Sequence, residues 1–152
     1  MHEFIKPEET IALDEVARRA CALLEACGML VDQLPEEVPG ARLACERTKV
    51  ASALERLTAA RQQTGELPVA GDLEQAQWHS LGLRLKSLFG DGSGTAALAR
   101  ALLSESDALA AEIAAARRFA LPPDVADTLQ DLAERVADLA GALRIPAGIS
   151  AA

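Results

Sequence analysis

Two glutamates within predicted helices are the residues whose positions best suit metal chemistry. Glu105 interrupts an apolar stripe with helical spacing, which consists of Leu98, Leu102, Leu109 and Ile113. Glu46 has a similar setting on another predicted helix, and Lys49 follows it by three residues. Because a lone carboxylate is costly to bury, two interpretations are open. Either the acids form a carboxylate-only metal site, or they lie at the edge of the stripe, solvated or paired with Lys49 or an arginine.

Histidine is scarce, which limits the chemistry that the chain can support. The sequence has only His2 and His79, whereas a di-iron bundle uses a Glu-x-x-His pair from each of two helices. His79 lies in a predicted helix, as the histidine of a phosphotransfer module does. Such modules resemble His-x-Leu-Lys-Gly, and here Gly82 and Leu83 take the Lys and Gly positions. The match to the motif is thus incomplete. Phosphotransfer by His79 is a second alternative hypothesis, and the other interpretation is a half-exposed histidine next to Trp78.

Composition and charge exclude several classes of function. The 152-residue chain has a net charge of -8, which argues against nucleic acid or an anionic membrane as partner. It has no apolar run of about 18 residues, no secretory signal, and no nucleotide-binding or nucleophile motif. Cys21, Cys27 and Cys45 lack metal-site spacing, so we interpret them as reduced thiols that serve as small buried hydrophobes. We expect a cytoplasmic protein that is not an enzyme and has no cofactor.

Apolar periodicity predicts an all-α chain with four long helices. Their predicted ranges are about 13–33, 39–63, 96–119 and 123–145. Pro35, Gly65 and Pro146 are expected to end three of these helices. A shorter fifth helix, at 73–89, is predicted in the connection between the second and the third. Residues 1–152 should form a single domain, with its core at about 13–144.

The order and spacing of several short motifs carry a family resemblance. These motifs are His79, Leu85-Lys86-Ser87, the glycine-rich turn at 90–94, Glu105-Ser106-Asp107 and the Leu-Pro-Pro-Asp-Val at 121–125. In this order they resemble an uncharacterised bacterial four-helix-bundle family in the ferritin-like superfamily. The resemblance implies a ferritin-like up-down four-helix bundle with a short extra helix in the crossover between helices 2 and 3. Gln130 and Ala140 stand where relatives tend to carry Glu and His, so the resemblance implies no di-iron site.

Alanine on more than one face of the third helix indicates a protein that acts through contact with other proteins. A helix that is apolar on several sides usually has several neighbours. We therefore expect an unknown protein partner or self-association, with a homodimer as the default and Ala111 and Ala115 as interface candidates. Trp78, the only tryptophan, is expected to dock the fifth helix onto the bundle.

Overall fold

A computed structural model describes residues 7–34, 38–65 and 94–149, and the regular structure in these ranges is entirely helical. The helices are α1 (Glu8–Gln33), α2 (Val38–Gln63), α3 (Gly94–Ala116) and α4 (Pro123–Arg144). The prediction of four long helices is confirmed, and the described residues agree with the predicted all-α class. The predicted fifth helix at 73–89, with Trp78 and His79, lies outside the described residues.

The four helices pack as a square. Helix α1 contacts α2 and α3, and α4 contacts the same two helices. Helices α1 and α4, and likewise α2 and α3, lie across the diagonals and do not pack on each other. Each helix therefore buries one side against two neighbours and leaves the other side to solvent.

Contacts between the helices show that neighbours run antiparallel. The contacts are Asp14–Arg61 and Leu24–Arg47 between α1 and α2, Arg56–Asp131 and Arg42–Gly141 between α2 and α4, and Arg100–Ala147 and Arg117–Gln130 between α3 and α4. Helices α1 and α4 thus point one way, and α2 and α3 point the other way. The end of α2 and the start of α3 consequently lie at opposite ends of the bundle.

Helix α1 begins at Glu8, five residues before the predicted start at 13. The carbonyl of Pro7 accepts hydrogen bonds from the N–H groups of Thr10 and Ile11, at 3.0 and 3.1 Å. Glu8 and Glu9 place negative charge in the first turn, where it interacts favourably with the helix dipole. The apolar stripe starts only at Leu13, so periodicity alone could not reveal this first turn.

Helix α3 ends at Ala116, earlier than the predicted end at 119. The N–H groups of Arg118 and Phe119 bind carbonyls three residues back, at 3.2 Å each. This tighter turn ends the regular α-helix. The predicted end of α2 is confirmed, since Gly65 follows the helix with a φ of 89°, a conformation that glycine adopts at little cost.

Leucine, alanine and valine fill the core between the helices. The apolar stripe of α4 is buried throughout and consists of Val125, Leu129, Leu132, Val136, Leu139 and Leu143. Burial of a Leu or Val side chain stabilises a fold by roughly 1.5–3 kcal/mol. The regular stripe is therefore the main reason why α4 packs against both α2 and α3.

Candidate functional site

Glu105 does not lie on the buried face of α3. Its side chain is 38% exposed, and Oε2 lies 3.8 Å from Nη1 of Arg19 on α1. Ser106, only 1% exposed, takes the buried position between Leu102 and Leu109, and its hydroxyl donates to a backbone carbonyl one turn earlier at 2.7 Å. The prediction that Glu105 points along the apolar face is wrong. Between Leu102 and Leu109, a helical stripe can pass through the residue three positions after the first leucine or through the residue four positions after it. Both spacings fit equally well, so only packing decides whether Glu105 or Ser106 is buried.

Charged side chains surround Arg19 at the contact between α1 and α3. Arg19 Nε lies 3.4 Å from Oε1 of Glu15 and 3.3 Å from Oε1 of Glu112. The Nε–H is not aligned with either carboxylate for a hydrogen bond, so these contacts are ionic. Arg18 also pairs with Glu15. Because the side chains are about one third exposed, each pair contributes about 0.2–1 kcal/mol.

Glu46 lies on α2 and is mostly buried. Its side chain is 13% exposed, and Oε1 lies 3.5 Å from Nζ of Lys49. Its other carboxylate oxygen, Oε2, is buried and has no hydrogen-bond partner among the described residues. A carboxylate that is only half satisfied is costly to bury, and the ion pair with Lys49 offsets part of that cost.

The structure assigns Glu46 and Glu105 to two separate charge clusters. They lie on α2 and α3, which do not pack on each other, and they pair with Lys49 and Arg19, respectively. Within residues 7–34, 38–65 and 94–149, no group of three or more Asp, Glu, His or Cys side chains is arranged to hold a metal ion. Glu46 and Glu105 thus each pair with a cation, which is what the interpretation without a metal site expected.

The thiol of Cys27 lies in the interface between α1 and α2, near Arg47. Arg47 Nε donates to the carbonyl of Leu24 at 2.7 Å, and its guanidinium lies 3.3 Å from where a Cβ on Gly28 would stand. Burial raises the pKa of Cys27 to about 12, and the charge of Arg47 offsets only part of this effect. Cys27 is therefore a small buried hydrophobe, as interpreted. Cys45 is exposed, so the same interpretation is wrong for that residue.

The second half of α3 exposes alanine to solvent. The exposed residues Ala110, Ala111, Ala114 and Ala115 form what we call the alanine face. Asp107 and Arg118 are also exposed and lie at its two ends. Asp107 shares one side of α3 with Ala111 and Ala114, and Arg118 lies in the turn that follows the helix. Neither Asp107 nor Arg118 forms an ion pair within the described part of the chain. The candidates Ala111 and Ala115 thus belong to one exposed surface.

A groove that sequence patterns did not predict runs between α3 and α4. Its volume is about 580 Å³, and Arg100 and Arg144 both line it. The two arginines come from different helices, so no local spacing in the sequence could relate them. Only the antiparallel pairing of α3 with α4 brings them to the same groove.

The comparisons with known proteins do not classify the chain: no family model, curated protein or solved structure matches it. No described helix is both long enough and apolar enough to cross a membrane. His79, the candidate for phosphotransfer, lies outside the described residues. The described surfaces that could carry a function are therefore those of α1 to α4.

Proposed function

We propose that this protein is a non-catalytic, cytoplasmic helical bundle of the ferritin-like kind that acts through protein–protein contact, with a second copy of itself as the first partner. The helix directions support the ferritin-like topology. Helices α2 and α3 are parallel, and the end of one and the start of the other lie at opposite ends of the bundle, as in bundles with a long crossover. The resemblance to the uncharacterised bacterial family remains a prediction.

The observation that carries the proposal is the alanine face. Small side chains allow two helix backbones to approach closely, which increases dispersion contacts along both helices. An isologous dimer brings the same patch of both copies together around a two-fold axis. The patch on α3 is continuous, and the charged residues Glu112 and Arg117 lie at its flanks.

The charges at the ends of the alanine face support an antiparallel pairing of two α3 helices. When the helices cross at the middle of the face, Asp107 of each copy lies opposite Arg118 of the other. Both side chains are exposed, and opposite charges across an interface favour one orientation of the partners. A parallel pairing would instead place Asp107 beside Asp107, which costs free energy.

Light scattering and sedimentation over a range of protein concentrations test the proposal. We expect a dimer for the unmodified protein and a folded monomer for Ala111→Glu and Ala115→Glu, because each places two carboxylates in the contact. Ala59→Glu is the matched control, since Ala59 is an exposed alanine on α2. A protein that stays monomeric at every concentration refutes self-association, and dimers in all three variants refute the alanine face.

A charge exchange tests the orientation of the dimer. Asp107→Arg alone and Arg118→Asp alone should each weaken the dimer by about tenfold, which corresponds to about 1.4 kcal/mol. The double variant restores opposite charges at both ends and should recover most of the affinity. Additive losses in the double variant would show that the two residues do not face each other.

Two alternative hypotheses remain predictions. A carboxylate-only metal site would require Glu46 to break its ion pair with Lys49 and Glu105 to break its ion pair with Arg19. The phosphotransfer hypothesis depends on His79, which is outside the described residues.

A further inference from the structure

The groove between α3 and α4 is open because α4 presents small residues to it. Ala137, Ala140 and Gly141 line it on the α4 side, and Leu103 lines it on the α3 side. The turn after α4 adds Ile149, whose N–H binds the carbonyl of Arg144 at 2.9 Å. This bond closes the helix end and holds the isoleucine at the groove. The groove is therefore lined by small residues and by two larger apolar side chains, together with polar and charged residues of both helices.

Positive charge predominates in this groove, although the protein as a whole is acidic. Arg100 and Arg144 line it together with a single acid, Asp107, in a chain with a net charge of -8. Arg144 is half-buried and has contacts of its own. Arg100 is exposed and donates one long hydrogen bond, of 3.4 Å, to the carbonyl of Ala147. Within the described residues, Arg100 forms no ion pair, so most of its guanidinium donors remain open to a ligand.

We propose that the groove binds small amphiphilic anions in which a carboxylate is attached to a short hydrocarbon chain. The planar guanidinium of Arg100 presents parallel N–H donors that match the two oxygens of a carboxylate. Leu103 and Ile149 offer apolar contact to the chain, and the alanines and the glycine leave room for it. The volume of about 580 Å³ lies within the range typical of small-molecule sites, roughly 300–1,000 Å³.

This site is distinct from the alanine face. Arg100 and Leu103 precede that face on α3, and the other groove residues that we expect to contact the chain come from α4 and the turn after it. Asp107 is the only residue shared by the groove and the ends of the face. Anion binding and self-association can therefore be measured separately.

Titration with octanoate and with octanol, followed by nuclear magnetic resonance of the backbone amides, tests the proposal. The two probes have the same number of carbon atoms and differ in charge. We expect octanoate to shift the amides of Gly141 and Ile149 in a saturable way, and octanol to bind at least about tenfold more weakly. Arg100→Glu should weaken octanoate by about tenfold or more without changing the weak binding of octanol. Arg117→Glu makes the same charge change near the other end of α3 and should leave octanoate binding unchanged.

Several results would overturn the proposal. These are equal affinities for octanoate and octanol, equal effects of Arg100→Glu and Arg117→Glu, or amide shifts confined to other parts of the bundle. Ala111→Glu, measured in the same way, should bind octanoate as the unmodified protein does. A loss of binding in that variant would show that the groove within one chain is not sufficient. The dimer experiment and this titration can therefore fail independently.

Discussion

The ion pair between Asp14 and Arg61 provides the sharpest test of how the bundle is held together. Arg61 Nη2 donates to Asp14 Oδ1 at 2.7 Å, and the two side chains are only 10% and 12% exposed. The pair joins the start of α1 to the end of α2. We predict that Asp14→Ala strongly destabilises the protein, because it removes the carboxylate that faces the buried guanidinium of Arg61.

The expected magnitude follows from the burial of the pair. Removal of one partner of a buried ion pair costs about 3–5 kcal/mol. Because both side chains retain some exposure, we expect the lower end of that range, about 3 kcal/mol. A domain of this size has a free energy of unfolding of about 5–15 kcal/mol. The loss corresponds to a decrease in Tm of about 6–12 °C, at roughly 2–4 °C per kcal/mol.

Urea unfolding followed by far-ultraviolet circular dichroism measures this loss. Asp138→Ala is the matched control, since Asp138 is 56% exposed and its pair with Arg135 spans 3.8 Å; we expect a loss of less than about 0.5 kcal/mol. The double variant Asp14→Leu with Arg61→Met removes both charges and should recover most of the stability. If Asp14→Ala costs no more than the control, the two charges are solvated in solution and the reasoning is wrong.

Two further predictions concern single side chains. Ser106→Glu should lower the free energy of unfolding by about 3 kcal/mol or more, because it buries an unpaired charge, whereas Glu105→Gln should lower it by less than about 1 kcal/mol. Thermal unfolding of both variants measures the difference. A larger loss for Glu105→Gln than for Ser106→Glu would mean that Glu105 lies on the buried face. The pKa of Cys27 is raised from 9.0 to about 12, so unfolding releases its proton once the pH exceeds 9.0. This residue's contribution to stability should be complete below pH 9.0 and should be lost as the pH rises toward about 12. Cys27→Ala should lack that part of the decline, and an identical pH profile in both proteins would contradict the raised pKa.

Helix α4 illustrates what periodicity in a sequence can determine. Its apolar residues recur at spacings that fit a single side of a helix, and all residues of this stripe are buried. Prolines before and within its first turn mark its start. Such signals lie within one or two turns of the chain, so they can be read without knowledge of the partner helices.

Helix α3 shows where local signals become ambiguous. Alanine suits both the interior and the surface of a helical bundle, so the sequence did not specify which alanines would be buried. Ala99 and Ala116 are in the core, whereas Ala111 and Ala115 are exposed. Glu105 was misplaced for a different reason, because a residue three or four positions after Leu102 lies equally well on the line to Leu109.

The sequence by itself therefore determined the helical class, the positions of the four long helices and the acidic surface charge. Only the tertiary structure decided that Asp14 meets Arg61, that Glu105 meets Arg19 and that Arg100 and Arg144 line one groove. The physical reason is the range of the interactions. Helix formation depends on residues three or four positions apart, whereas these contacts depend on which helices become neighbours and how they are rotated when the whole core packs.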